Sequence, residues 1–280
     1  MWERGSKHAN KHWTLALSDS MARRADELGD KKAHCIALLL PINYYEKYIP
    51  KQYADSLRMA CDKCFDYSIK TDFKQYAFYA RHKLIVYLSN NNVREETTRE
   101  IERLHDEAFK YNHPYGIRMY YGLMVQYYQE YKLYDKSIET AKEAIEYTNK
   151  NNYGKENFSF YRDIASAYLA KKNIDSAEYY IKKFKSMPGA AGDEIGQQHY
   201  LIMLSDLYLL KKDTAAVEKI IQELQERKDR GGLTSSTGAR MKQILVEIAA
   251  NRGNYAVADS VASTIKPSEL DEHLSMTAAL

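Results

Sequence analysis

No stretch of the 280-residue chain is apolar for long enough to span a bilayer. The longest, Cys35 to Pro41, falls far short of the roughly 20 residues a membrane helix needs. Neither sign of charge dominates: 41 Lys and Arg stand against 38 Asp and Glu, for a net charge of +3. Without a polybasic field, nucleic acid and anionic membrane are not the expected partners of this segment. The chain contains no G-x-G-x-x-G, no Gly-x4-Gly-Lys-Ser/Thr, no His-Glu-x-x-His and no Gly-x-Ser-x-Gly. The templates for dinucleotide binding, phosphate binding, zinc proteolysis and serine hydrolysis are therefore missing. An enzyme is not expected, nor a catalytic residue or a cofactor. No leader-like segment opens the chain, which says nothing of compartment.

Cysteine is also scarce. Cys61-x-x-Cys64 has the spacing of a redox or metal pair, and Cys35 could add a third ligand. A structural zinc site needs four ligands, and no fourth is evident. His8 and His12 stand i, i+4 and would share one helix face, a geometry for a metal pair, but no third ligand accompanies them. Asn157-Phe158-Ser159 fits a glycosylation acceptor triplet, a pattern frequent by chance.

What the chain does have is a repeat. Tyr128, Tyr168 and Tyr208 recur at forty-residue intervals. One unit reads Tyr121-x2-Met124-Val125-x2-Tyr128, then Tyr134-Asp135-x-Ser137, Ala141, Ala144 and Tyr147. The next reads Tyr161-x2-Ile164-Ala165-x2-Tyr168, then Ile174-Asp175-x-Ala177, Ile181 and Phe184. Leu201 to Leu224 and Leu245 to Ile265 supply two more. Spacings of 3, 4 and 7 within each half predict one apolar stripe per helix. Short polar links such as Lys171-Lys172-Asn173 and Lys211-Lys212-Asp213 break each unit into two antiparallel helices.

Weaker units stand upstream. Met21, Ala25 and Leu28 match a second helix, as do Leu57, Cys61, Cys64 and Tyr67, and again Ile101, His105, Ala108 and Tyr111. Cys61 and Cys64 thus fall where Ala141 and Ala144 stand, which predicts buried packing, and His105 is expected as a core histidine. The equivalent position recurs about every 39.5 residues, the length of a two-helix repeat. First helices are predicted near 31–47, 72–89, 115–131, 154–171, 193–211 and 234–252, with a kink or early stop at Pro41. The array is expected to continue beyond both ends. The Gly- and Ser-rich stretch 230–238 is the one candidate for a loosened joint. Tyr, at 25, outnumbers Leu, and its apolar body and polar tip suit interhelix seams.

The pattern resembles the tetratricopeptide repeat: a bulky residue, a small one and Tyr on the first helix, then spaced small or apolar positions on the second. The match is good over 115–266. Two departures are the small Gly position, filled here by Val125, Ala165, Ser205 and Val246, and a unit nearer 40 residues than 34. The resemblance implies an all-α, right-handed α-solenoid of antiparallel helix pairs over 1–280, with first helices lining a concave face. Carried over residue by residue, the groove-facing positions are Met119, Gln126, Gln129 and Glu130; then Ser159, Arg162, Ser166, Leu169 and Ala170. Further along come His199, Ile202, Asp206, Leu209 and Leu210; then Arg240, Gln243, Glu247, Ala250 and Asn251. The Lys/Asn-rich set with which some family members clamp a C-terminal carboxylate is missing. What remains is an apolar strip of Leu169, Ile202, Leu209 and Leu210 bordered by Arg162, Asp206 and Arg240, suited to an amphipathic helix or extended peptide.

The function this implies is non-catalytic binding of a protein or peptide, with homodimerisation open. The texture of the repeats is similar to the sensory or adaptor arrays of bacterial sensor histidine kinases and related regulators. Such an array is periplasmic in a sensor kinase and otherwise cytoplasmic. The alternative is a small-molecule- or metal-responsive regulator using Cys35, Cys61 and Cys64.

Overall fold

The computed structural model describes residues 11–48, 54–152, 154 and 157–265. All of its regular structure is helical, and the chain divides into two compact units, Met1–Tyr120 and Tyr121–Leu280. The first holds α1 (Lys11–Glu27), α2 (Lys31–Tyr48), α3 (Ala54–Lys70), α4 (Lys74–Asn90) and α5 (Arg94–Lys110). The unit boundary falls within α6 (Pro114–Glu130). The second unit continues with α7 (Tyr134–Lys150), α8 (Phe158–Ala170), α9 (Ile174–Ser186) and the single turn α10 (Pro188–Ala191). It closes with α11 (Glu194–Leu210), α12 (Thr214–Asp229), α13 (Ser235–Asn251) and α14 (Tyr255–Ala262). Consecutive helices pack pairwise within each unit, so the expected all-α helical-repeat class is what the chain adopts.

The forty-residue period has a simple origin. Helices α3 to α7 are each 17 residues long, and a three-residue turn follows each of α3 to α6. The middle turn residue takes positive φ at Asp72, Asn92, Asn112 and Lys132, and again at Lys172 and Lys212 after α8 and α11. Two amides then close each helix end. Asn92 N donates to Ser89 O at 2.9 Å and Val93 N to Leu88 O at 3.0 Å, the paired bonds of a Schellman motif. The third turn residue opens the next helix. Asn173, Asp213 and Asn254 there accept from Ser176 N, Ala216 N and Val257 N, satisfying amides that have no partner within the helix. Longer helices, not longer loops, set the unit length.

The second-helix stripes are buried as the spacing predicts: Leu57, Cys61 and Cys64 on α3, Ile101, Leu104 and Ala108 on α5, Ala141 and Ala144 on α7. His105 is a correction. It stands one residue past Leu104, about 100° around the helix. Its side chain is 44% exposed, pairs with Asp106 and packs on Phe109 and Tyr120. The true buried row is Ile101–Leu104–Ala108.

Pro41 causes no early stop, for α2 runs through it to Tyr48. Proline lacks the amide that would bond the carbonyl four residues back, here Ala37 O. Ser18 Oγ on α1 donates to that carbonyl instead, at 2.8 Å. The stretch 230–238 is a short loop followed by the first turn of α13. Gln198, 1% exposed, grips it from both sides, donating to Gly232 O at 2.6 Å and accepting from Thr234 N at 3.0 Å. His8 and the chain from Glu269 onward lie outside the described residues, as does the side chain of His12.

Candidate binding groove

In the second unit, the end of α6 and the helices α8, α11 and α13 line a groove of about 740 Å³, with Tyr134 at the start of α7. Each helix contributes by its 3.6-residue period. Arg162, Asp163, Ser166, Leu169 and Ala170 come from α8; His199, Ile202, Met203, Asp206, Leu209 and Leu210 from α11; Ser236, Thr237, Arg240, Glu247 and Asn251 from α13. The opposite side of each helix packs into the core. Phe160 and Ile164 join Val125 and Ala141, while Leu201, Ile244 and Ile248 join Val217 and Leu224.

Two arginine–carboxylate sets organise the polar part. Arg162 donates through Nε and Nη2 to one oxygen, Asp163 Oδ1, at 2.9 and 2.7 Å. Gln129 Nε2 on α6 donates to the backbone carbonyl of Asp163 at 2.9 Å, tying adjacent first helices together. Arg240 reaches across to Asp206 on α11 at 2.5 Å, and along its own helix to Gln243 at 3.1 Å and Glu247 at 3.3 Å. Burial works against the Arg240 charge, but Asp206 and Glu247 outweigh it and its pKa is raised. Burial pushes the Asp163 carboxyl up from its ordinary range, with Arg162 opposing. Burial, reinforced by the charge of Arg162, holds His199 down at about 4, so that ring is neutral at pH 7. Between these polar groups the strip Leu169, Ile202, Leu209 and Leu210 is neither fully buried nor fully exposed.

Of the groove residues expected from sequence, Gln129, Arg162, Leu169, His199, Ile202, Asp206, Leu209, Arg240 and Glu247 come together here, with Glu130, Ser166, Ala170, Leu210 and Asn251. Gln126 is half-buried off the lining, and Gln243 supports Arg240 from outside it. Ser159 and Ala250 do not line the groove. Met119 belongs to the first unit and is 6% exposed, a core side chain rather than a groove one. Sequence reasoning missed Tyr134, Asp163, Ala167, Met203, Ser236 and Thr237. The signal for Asp163 was present: an acid beside Arg162 in an otherwise apolar helix needs a partner to be buried.

Elsewhere, Cys35, Cys61 and Cys64 are fully buried free thiols. Burial pushes Cys64 up to about 12 and Cys61 higher still, so both stay protonated and unreactive at neutral pH. Among the described residues no group of three or more His, Cys, Asp and Glu is arranged to hold a metal ion. Asn157 is 1% exposed and locked between Thr148 Oγ1 at 2.5 Å and Asn149 at 3.0 Å, so its amide is not an accessible glycosylation acceptor. No helix among the described residues is long and apolar enough to cross a membrane. The chain matches no protein-family model and no curated protein. Fold and groove define it as an all-α helical-repeat protein.

Proposed function

We propose that the chain is a non-catalytic binding module of tetratricopeptide type that seats a segment of a partner protein in the groove of its second unit. The observation that carries this is the apolar strip. Leu169, Ile202, Leu209 and Leu210 line the groove partly exposed, flanked by charged and hydroxyl groups. Apolar surface bordered by a polar rim is what a helix or extended peptide uses for anchoring and register. Nearly all the lining comes from the first helices α6, α8, α11 and α13, the face that the family resemblance assigns to ligands. We read the module as the sensory or adaptor part of a bacterial signalling or regulatory protein. Partner binding there would alter stacking or dimerisation, and an effector elsewhere would respond.

The test is selection of peptides from a random display library on the wild-type protein, followed by binding to an Ile202→Ser, Leu209→Ser double variant. Selected peptides should lose most of their affinity for the variant while its far-UV circular dichroism is unchanged. Peptides that bind both proteins equally would place the binding surface elsewhere.

A further inference from the structure

The groove holds two arginines, and both are paired with carboxylates. Arg162 spends Nε and Nη2 on Asp163, and Arg240 is committed to Asp206, Glu247 and Gln243. The lining carries four carboxylates, Glu130, Asp163, Asp206 and Glu247, against those two guanidiniums, and no lysine. Its formal charge is therefore −2, on a chain whose net charge is +3.

Two of the acids have capacity left over. Glu130 is exposed and has no ion-pair partner among the described residues. Asp163 is only 6% exposed and lines the groove, yet its bonds from Arg162 go to Oδ1, and Oδ2 has no donor among the described residues. A carboxylate oxygen with no donor from the protein can accept from a group that enters the groove. His199 is held neutral and adds no positive charge.

We propose that the groove takes a cationic amphipathic segment of a partner protein. Its apolar residues lie on the Leu169–Ile202–Leu209 strip, and Lys or Arg side chains reach Asp163 Oδ2 and Glu130. Arg162 Nη1, not used by Asp163, is left for a carbonyl of the bound segment. This rests on the groove reading above and adds the sign of the partner's charge. Matched potentials steer association and suppress wrong partners more than they add affinity, so the prediction concerns preference between probes.

The experiment uses two fluorescein-labelled peptides, one an amphipathic helical pattern of Leu and Lys, the other its twin with Glu for every Lys. Fluorescence anisotropy is read on wild-type protein, on Glu130→Gln, and on the Ile202→Ser, Leu209→Ser double variant, all checked for unchanged helicity. The Lys peptide should bind at least about tenfold more tightly than its twin, since like charges across an interface are strongly disfavoured. Glu130→Gln should weaken it by about two- to fivefold, the worth of one exposed charge pair, and the double variant should abolish it. Equal or tighter binding of the Glu peptide overturns the inference. If that binding is also lost in the double variant, the groove stands and only the charge preference falls. Lys-peptide binding that survives the double variant removes groove and inference together, and failure of both peptides to bind wild type removes the inference.

Discussion

Ser18 Oγ donates 2.8 Å to the carbonyl of Ala37, the one backbone acceptor that Pro41 leaves without its helical partner. Ser18 is 2% exposed and Ala37 fully buried, so water cannot replace the hydroxyl. Ser18→Ala should cost about 1–2 kcal/mol, the penalty of an unsatisfied buried carbonyl. In a Pro41→Ala background the restored amide can bond Ala37 O, and the same substitution should cost much less. A double-mutant cycle by urea denaturation checks this. Additive costs would show that the hydroxyl does not compensate for the proline.

The Arg81 guanidinium is fully buried among Asp62 at 3.0 Å, Glu100 at 3.1 Å and Glu107 at 3.3 Å, over the ring of Phe65. Arg58 joins Glu96 and Glu100 at 2.5 Å, which extends the network over α3, α4 and α5. Arg81→Met removes the central cation and leaves the buried Glu100 and the part-buried Glu107 without it. The expected loss is about 3–5 kcal/mol. Arg81→Met with Glu100→Leu should recover part of it, because a matched apolar pair avoids the desolvation that an orphaned charge suffers. Chemical denaturation of both variants measures the difference.

His199 makes the second unit acid-sensitive. Its folded pKa of about 4 lies below the ordinary value of 6.5, so the unfolded chain accepts a proton that the native state refuses. The stabilisation is present above pH 6.5 and is lost as the pH falls toward 4, by about 3 kcal/mol. Asp163 works the other way, since its raised pKa lets the native state take up a proton first and gain stability at lower pH. Denaturation midpoints at pH 7 and pH 4.5 should therefore converge in His199→Gln relative to wild type. An unchanged pH slope would assign the sensitivity to other groups.

Lys172 adopts φ of 56° in the turn after α8, a region where a side chain crowds its own backbone and glycine does not. Lys172→Gly should stabilise the protein by about 1 kcal/mol. Lys172→Val should destabilise it, because branching at Cβ worsens the crowding. Thermal midpoints of the two variants should move in opposite directions.

The local periodicity was readable because each helix obeys it independently. The rows Leu57–Cys61–Cys64 and Ala141–Ala144 share one offset within their repeats, and both are buried. That alone assigned the tempting Cys-x-x-Cys to packing. The same reasoning slipped by one residue at His105, where an apolar row of Ile101, Leu104 and Ala108 competed with a second spacing that also fits a helix. Groove positions such as Arg162, Asp206 and Arg240 were legible through the resemblance to the tetratricopeptide repeat. Asp163 was legible only as an acid beside Arg162; that it is nearly buried and bonded through one oxygen comes from the fold.

The helical class and the forty-residue unit could be read along the chain, because spacings of 3, 4 and 7 act within a single helix; which face of each first helix turns to the groove came from the family resemblance. How the groove's charges pair, and what becomes of Pro41, depend on contacts between helices. Arg240 and Asp206 are 34 residues apart, and Ser18 and Ala37 are 19. Such pairs meet only when neighbouring helices stack, and no periodicity along the chain specifies which charge a guanidinium spends itself on.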